Sequence, residues 1–120
     1  MQGEKFLEKA INWVRSKGMH SIKSKHDDFE DPTSFTKHSK NGDITFTPAI
    51  TAFHRTRKRY IEIANKNVED VKKLASKWKL LSTLASRSGG EFYILAPHGH
   101  KAFAQRLIDK YNLNSKVVTL

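Results

Sequence analysis

The chain has 120 residues, a formal net charge of +10, 38% hydrophobic residues and no cysteine. That length suits one domain with a modest core, and the apolar content, with seven Phe and two Trp, is too high for a disordered chain. The lack of cysteine excludes disulfides and thiolate metal sites. No apolar run approaches the roughly 20 residues of a membrane span, and the charged N-terminus lacks the apolar segment of a secretion signal, so the expected compartment is the cytoplasm and no membrane partner is expected.

Glu4 to Lys17 reads as an amphipathic helix, with Phe6, Leu7, Ala10, Ile11, Trp13 and Val14 at helical spacing. Lys17-Gly18 is a natural stop. Met19 to Lys25 fits a short strand. Lys25 to Gly42 is polar, contains Pro32, and reads as a long loop of the kind often tied to function. Asp43 to Phe53 has strand character, with Pro48 marking a bulge, an edge or a break. His54 to Lys58 is a basic turn, and Arg59 to Asn65 is a strand of good β-propensity. The two strands should form a hairpin around that basic tip.

Asn67 is a suitable N-cap for a helix whose apolar face runs from Val68 to Ala85, and Ser88-Gly89-Gly90 ends it. Glu91 to Ala96 is a short apolar run that suits a strand covered on both faces. A last helix is expected over Lys101 to Tyr111, and Val117 to Leu120 could add a strand. This order predicts an α/β sandwich with a mixed sheet flanked by helices.

Four groupings carry possible chemistry. Glu62 lies mid-strand on the same face as Tyr60, Ala64 and Lys66. A carboxylate there is costly to bury unpaired, so three fates are open to it: solvent, an arginine partner, or a metal. His54-Arg55-Thr56-Arg57-Lys58-Arg59 packs four cations into five residues. Such a run serves either as a solvated turn or as a set of phosphate contacts, which position a nucleic acid without reading its sequence. The long loop mixes Lys23, Lys25, His26, Lys37, His38 and Lys40 with Asp27, Asp28, Glu30 and Asp31. His98-Gly99-His100 lacks further clustered ligands for zinc; a phosphate contact at the start of the last helix, aided by Lys101, suits it better. No P-loop, dinucleotide Gly-rich turn or Gly-x-Ser-x-Gly elbow is present.

The element order, with Gly42-Asp43-Ile44 ahead of one strand and Tyr60-Ile61-Glu62-Ile63-Ala64 on the next, resembles the PD-(D/E)xK nuclease superfamily. The resemblance implies a restriction-endonuclease-like αβββαβα sandwich spanning residues 1–120. It implies a metal-dependent phosphodiesterase acting on DNA, endonuclease-like and in some relatives dimeric. Asp43 and Glu62 would hold Mg²⁺ or Mn²⁺, hard cations that take oxygen ligands and acidify water. The family lysine falls on Ala64, so Lys66 is the expected substitute, with Lys72 and Lys73 as alternatives. Glu8 would be a possible third carboxylate. The phosphate contacts would be Arg55, Arg57, Lys58, Arg59 and Lys101. Two readings compete with catalysis: a silent nucleic-acid-binding protein of the same fold, and a basic module for an acidic protein partner.

Overall fold

The computed structural model describes residues 2–26 and 28–120, so Asp27 of the long loop lies outside the described residues. The elements are α1 (Gln2–Ser16), β1 (His20–Ser24), β2 (Phe35–Lys37), β3 (Ile44–Phe46), β4 (Ile50–His54), β5 (Arg57–Ile63), α2 (Val71–Ser88), β6 (Glu91–Ala96), α3 (Lys101–Tyr111) and β7 (Lys116–Thr119). Five strands form one mixed sheet in the order β1-β4-β5-β6-β7, and β2 and β3 form a separate two-stranded sheet. β1, β4 and β5 run antiparallel as a meander, while β5, β6 and β7 are parallel. Parallel neighbours need crossovers, and α2 and α3 supply them. The protein is thus α/β with a mixed central sheet, as the sequence predicts.

Period two along the strands divides the core. Ile50, Ala52, Ile61 and Leu95 pack on one face against Ala10, Ile11 and Val14 of α1. Tyr60, Ala64, Phe92, Ile94 and Ala96 pack on the other against Trp78, Leu81 and Ala85 of α2 and Phe103, Ala104, Leu107 and Ile108 of α3. β6 is therefore covered on both faces, which is why its sequence is an unbroken apolar run.

The hairpin around the basic tip is present: β4 pairs with β5 from Ile50↔Ile61 to His54↔Arg57. Two segments differ from expectation. The first is 25–53. It contains its own small hairpin, with Phe35↔Phe46 and Lys37↔Ile44 in register, and the expected single strand over 43–53 is two. Pro48 divides them. It has no N–H to give a ladder, and it is buried, so the chain leaves one sheet there and enters the other. Phe46 is buried and Phe35 meets Tyr60 edge-on at 6.1 Å. The small hairpin thus covers the face of the sheet that the two crossover helices leave open.

The second is the start of α2. Asn65 Oδ1 accepts the Asn67 N–H at 2.9 Å, which holds a turn instead of a first helical turn. The helix begins after Asp70, whose Oδ1 accepts the Lys73 N–H at 3.0 Å. At its far end Gly89 takes the left-handed conformation, and Gly90 passes so close to the Lys58 carbonyl that no side chain would fit.

On the α1 face, one polar cluster joins three strands. Glu91 accepts from the Tyr93 hydroxyl and from Lys116 Nζ (3.2 Å), and it lies 3.7 Å from Arg59 Nε. The Tyr93 hydrogen bond above all, with Lys116 and Arg59 adding to it against the opposing effect of burial, holds the Glu91 carboxyl below its ordinary pKa. A carboxyl lowered in the folded state stabilises fully above its unfolded pKa, and that contribution is lost as pH falls through the folded value. The urea midpoint is therefore expected to drop on acidification below about pH 4, and Glu91→Gln should flatten that limb in equilibrium melts across pH 2 to 6.

Candidate nucleic-acid interface

Glu62 enters the α2 side of the core, with Tyr60 and Ala64 as its neighbours on that face. It is 2% exposed. Three donors meet its carboxylate. The Ala49 N–H donates to Oε2 at 2.7 Å, the Trp78 indole N–H donates to Oε1 at 3.2 Å, and Lys77 Nζ lies 3.0 Å from Oε1. Of the three fates open to this residue, the structure shows pairing, with a lysine in place of an arginine. The carboxylate ties together the entrance of β4, the middle of β5 and the second turn of α2.

Asp43 is elsewhere. It precedes β3 in the small hairpin, more than half exposed, with Oδ1 3.0 Å from His38 Nδ1. It shares no partner with Glu62. The cause is Pro48 again: because the 43–53 segment splits, Asp43 belongs to the hairpin. The residue that reaches Glu62 from the start of β4 is Ala49. Lys66 lies beyond β5 and is exposed, and its backbone N–H donates to His100 Nδ1 at 2.9 Å. The lysine that does reach Glu62 is Lys77. Glu8 is on α1, whose apolar side packs on the opposite face of the sheet, and its Oε1 lies 3.5 Å from His26 Nε2.

These residues do not fit a divalent cation. Mg²⁺ requires near-octahedral oxygen ligands. Among the described residues no three His, Asp or Glu side chains are grouped to hold a metal, and the one buried carboxylate already carries an ammonium. His98 and His100 follow the same pattern: His98 is exposed and His100 is engaged with Lys66.

What the fold does assemble is cationic. A cleft of about 320 Å³ opens between the small hairpin and the start of α2, lined by Lys25, Lys73 and Lys77 together with Thr45, Thr47 and Asp70. Among the described residues Asp70 is the only acid in that wall, and it is already capping the helix. Lys73 and Lys77 share one stripe of α2, three and seven residues after the cap, so the (i, i+4) spacing marks them as a pair. That spacing is the signal by which the sequence could have yielded Lys77.

The cleft is extended by further lysines. Lys23 is opposite Thr51, which is opposite Tyr60, and Lys58 lies over the Phe35 and Tyr60 rings at 6.0 and 5.3 Å. Partial burial first, and the Lys23 charge second, push the Lys58 ammonium below its ordinary pKa. At the tip, Arg55 is exposed at φ 59°, its carbonyl accepting from His20 Nε2 at 3.0 Å, and Arg57 donates to the Gly89 carbonyl at 3.2 Å. Arg59 turns inward and is 9% exposed. Lys101, exposed, opens α3.

No protein-family model matches the chain, and searches of curated proteins and of solved structures give no significant match.

Removing one partner of a buried ion pair costs about 3–5 kcal/mol. Glu62→Ala is expected to lose that much in urea denaturation, because it strands Lys77 and the Trp78 indole. Asp43→Ala, on an exposed loop, is expected to change stability by less than about 0.5 kcal/mol.

Proposed function

We propose that this chain is a nucleic-acid-binding protein that holds the sugar–phosphate backbone, in the first instance of DNA, on its lysine-lined face. The observation that carries this reading is the cleft of Lys25, Lys73 and Lys77, continued by Lys23 and Lys58 toward the Arg55–Arg57 tip. A cleft lined by ammonium groups contacts phosphates, and such contacts carry no means of reading base edges.

The resemblance to restriction-endonuclease-like proteins supports the same polymer. The order α1, β1, β4, β5, α2, β6, α3 and the mixed sheet agree with that architecture. The motif positions favour binding over cleavage. Alanine stands beside Glu62 at the start of β4 and again at position 64. One observation favours the second reading, a metal-dependent nuclease: Lys77 places an ammonium beside Glu62, where a displaced family lysine would act. Cleavage would then need Glu62 freed from Lys77 and a second carboxylate brought to it.

Each phosphate contact contributes about 0.9 to the slope of log K against log salt. The Lys25→Ala/Lys73→Ala double variant is expected to weaken binding to a 20-base-pair duplex and to lower that slope by roughly 2, with an unchanged circular dichroism spectrum. Binding and slope equal to the parent protein would overturn the assignment. Incubation of plasmid and branched DNA with Mg²⁺ or Mn²⁺ is expected to give no cleavage above a Glu62→Gln control. Cleavage that this control abolishes would establish the nuclease instead.

A further inference from the structure

The α1 face carries a second cavity, of about 450 Å³, which is unrelated to the lysine cleft across the sheet. Its wall includes Trp13 and Lys17 from the end of α1, and Arg59, Glu91 and Tyr93 from the sheet. Arg59 is nine-tenths buried, and its Nη1 has no hydrogen-bond partner among the described residues. Such a group is normally satisfied, because a buried guanidinium nitrogen without an acceptor is costly. Glu91 lies 3.7 Å from Arg59 Nε while its oxygens also serve Tyr93 and Lys116, and the Tyr93 hydroxyl is a further neighbour of the guanidinium, yet Nη1 is left without an acceptor. Among the described residues of its wall, Lys17 and Arg59 thus outnumber the one acid, Glu91. Beside them, Trp13 and Tyr93 meet edge-to-face with ring centroids 5.3 Å apart, and Lys17 Nζ lies 5.9 Å from the indole centroid.

The geometry points to this cavity as a nucleotide site, with the phosphate taken by Arg59 and Lys17 and the base laid against Trp13 and Tyr93. The volume falls within the range of small-molecule pockets, roughly 300–1,000 Å³, and a bare phosphate would leave most of it empty. Guanidinium groups bind phosphate through paired hydrogen bonds, and aromatic side chains accept any base face. The same chemistry is offered by a free mononucleotide and by the 5′-phosphorylated end of a strand.

The test is a titration of the full chain followed by the Trp13 indole N–H in ¹H–¹⁵N spectra, assigned with Trp13→Phe. The probes are dAMP, deoxyadenosine, inorganic phosphate, and a short oligonucleotide with and without its 5′-phosphate. dAMP is expected to give a saturable shift, at least about tenfold tighter than deoxyadenosine or phosphate alone. Lys17→Ala, at an exposed position, should weaken it roughly threefold to tenfold, and Arg59→Lys about tenfold to a hundredfold. A tighter response to the phosphorylated oligonucleotide than to dAMP assigns the site to strand ends; the reverse assigns it to free nucleotides. An indole resonance that does not move with millimolar dAMP, or a dAMP affinity untouched by both variants, overturns the proposal. The site stands apart from duplex binding: Lys25→Ala/Lys73→Ala is expected to leave the dAMP shift intact, and failure of the cavity would leave duplex binding as it is.

Discussion

The buried carboxylate of Glu62 constrains more of this structure than any other single group. Its three donors come from the chain entering β4, from the indole of Trp78 and from the ammonium of Lys77. A charge in that position is expensive unless every one of them is in place. Burial of the ion pair need not be net stabilising, since apolar residues of equal volume can do as well. Its effect is on geometry. A slip of one residue in β4, or a rotation of α2 about its axis, would leave an ion or an indole N–H unpaired in the core. The register Ile50↔Ile61 and the orientation of α2 are therefore held by the same carboxylate. The direction of Lys77, and through it the floor of the cationic cleft, follows from that arrangement.

Most of the core was legible because its elements obey one local rule each. β6 and α3 stand over residues 91–96 and 101–111 as the apolar run and the helical spacing predict. The central hairpin is where the strand pattern and the basic tip place it. The 25–53 segment was not legible, because its outcome depends on Pro48, a residue that offers several solutions. A bulge, an edge or a break were all compatible with it. Only the tertiary structure selects the break, since Phe46 becomes buried and Phe35 packs edge-on against Tyr60 when the segment folds back as its own hairpin. That choice separates Asp43 from β4 and puts Ala49 beside Glu62. The spacing between two carboxylates in the sequence therefore carried less than it suggested.

The basic run at 54–59 shows the same limit in another form. Read as composition, it is a single cluster. Folded as a strand, period two divides it. Lys58 joins the lysine-lined face with Tyr60 and Glu62, whereas Arg59 turns to the α1 face with Ile61 and is buried against Glu91. A count of cations cannot anticipate this, but strand parity can, once the first strand residue is known. The two faces then acquire different characters: one a row of ammonium groups, several of them half-buried, the other a buried guanidinium beside aromatic rings.

The ammonium row is prepared for an anion at some cost. Lys58 sits partly buried over two rings with Lys23 near it, and both conditions oppose its charge. A phosphate placed between the two lysines reverses the second condition directly, because an anion close to both replaces their repulsion with two attractions. It also offsets the first, by giving the desolvated ammonium a charged acceptor. Ion pairs on open surfaces gain little, since water competes and the side chains lose freedom. Here the rings already restrict Lys58, and part of its hydration is already gone. The face proposed to meet a phosphate backbone is thus pre-organised by the apolar residues beneath it, Phe35 and Tyr60, and those are held in place by the break at Pro48.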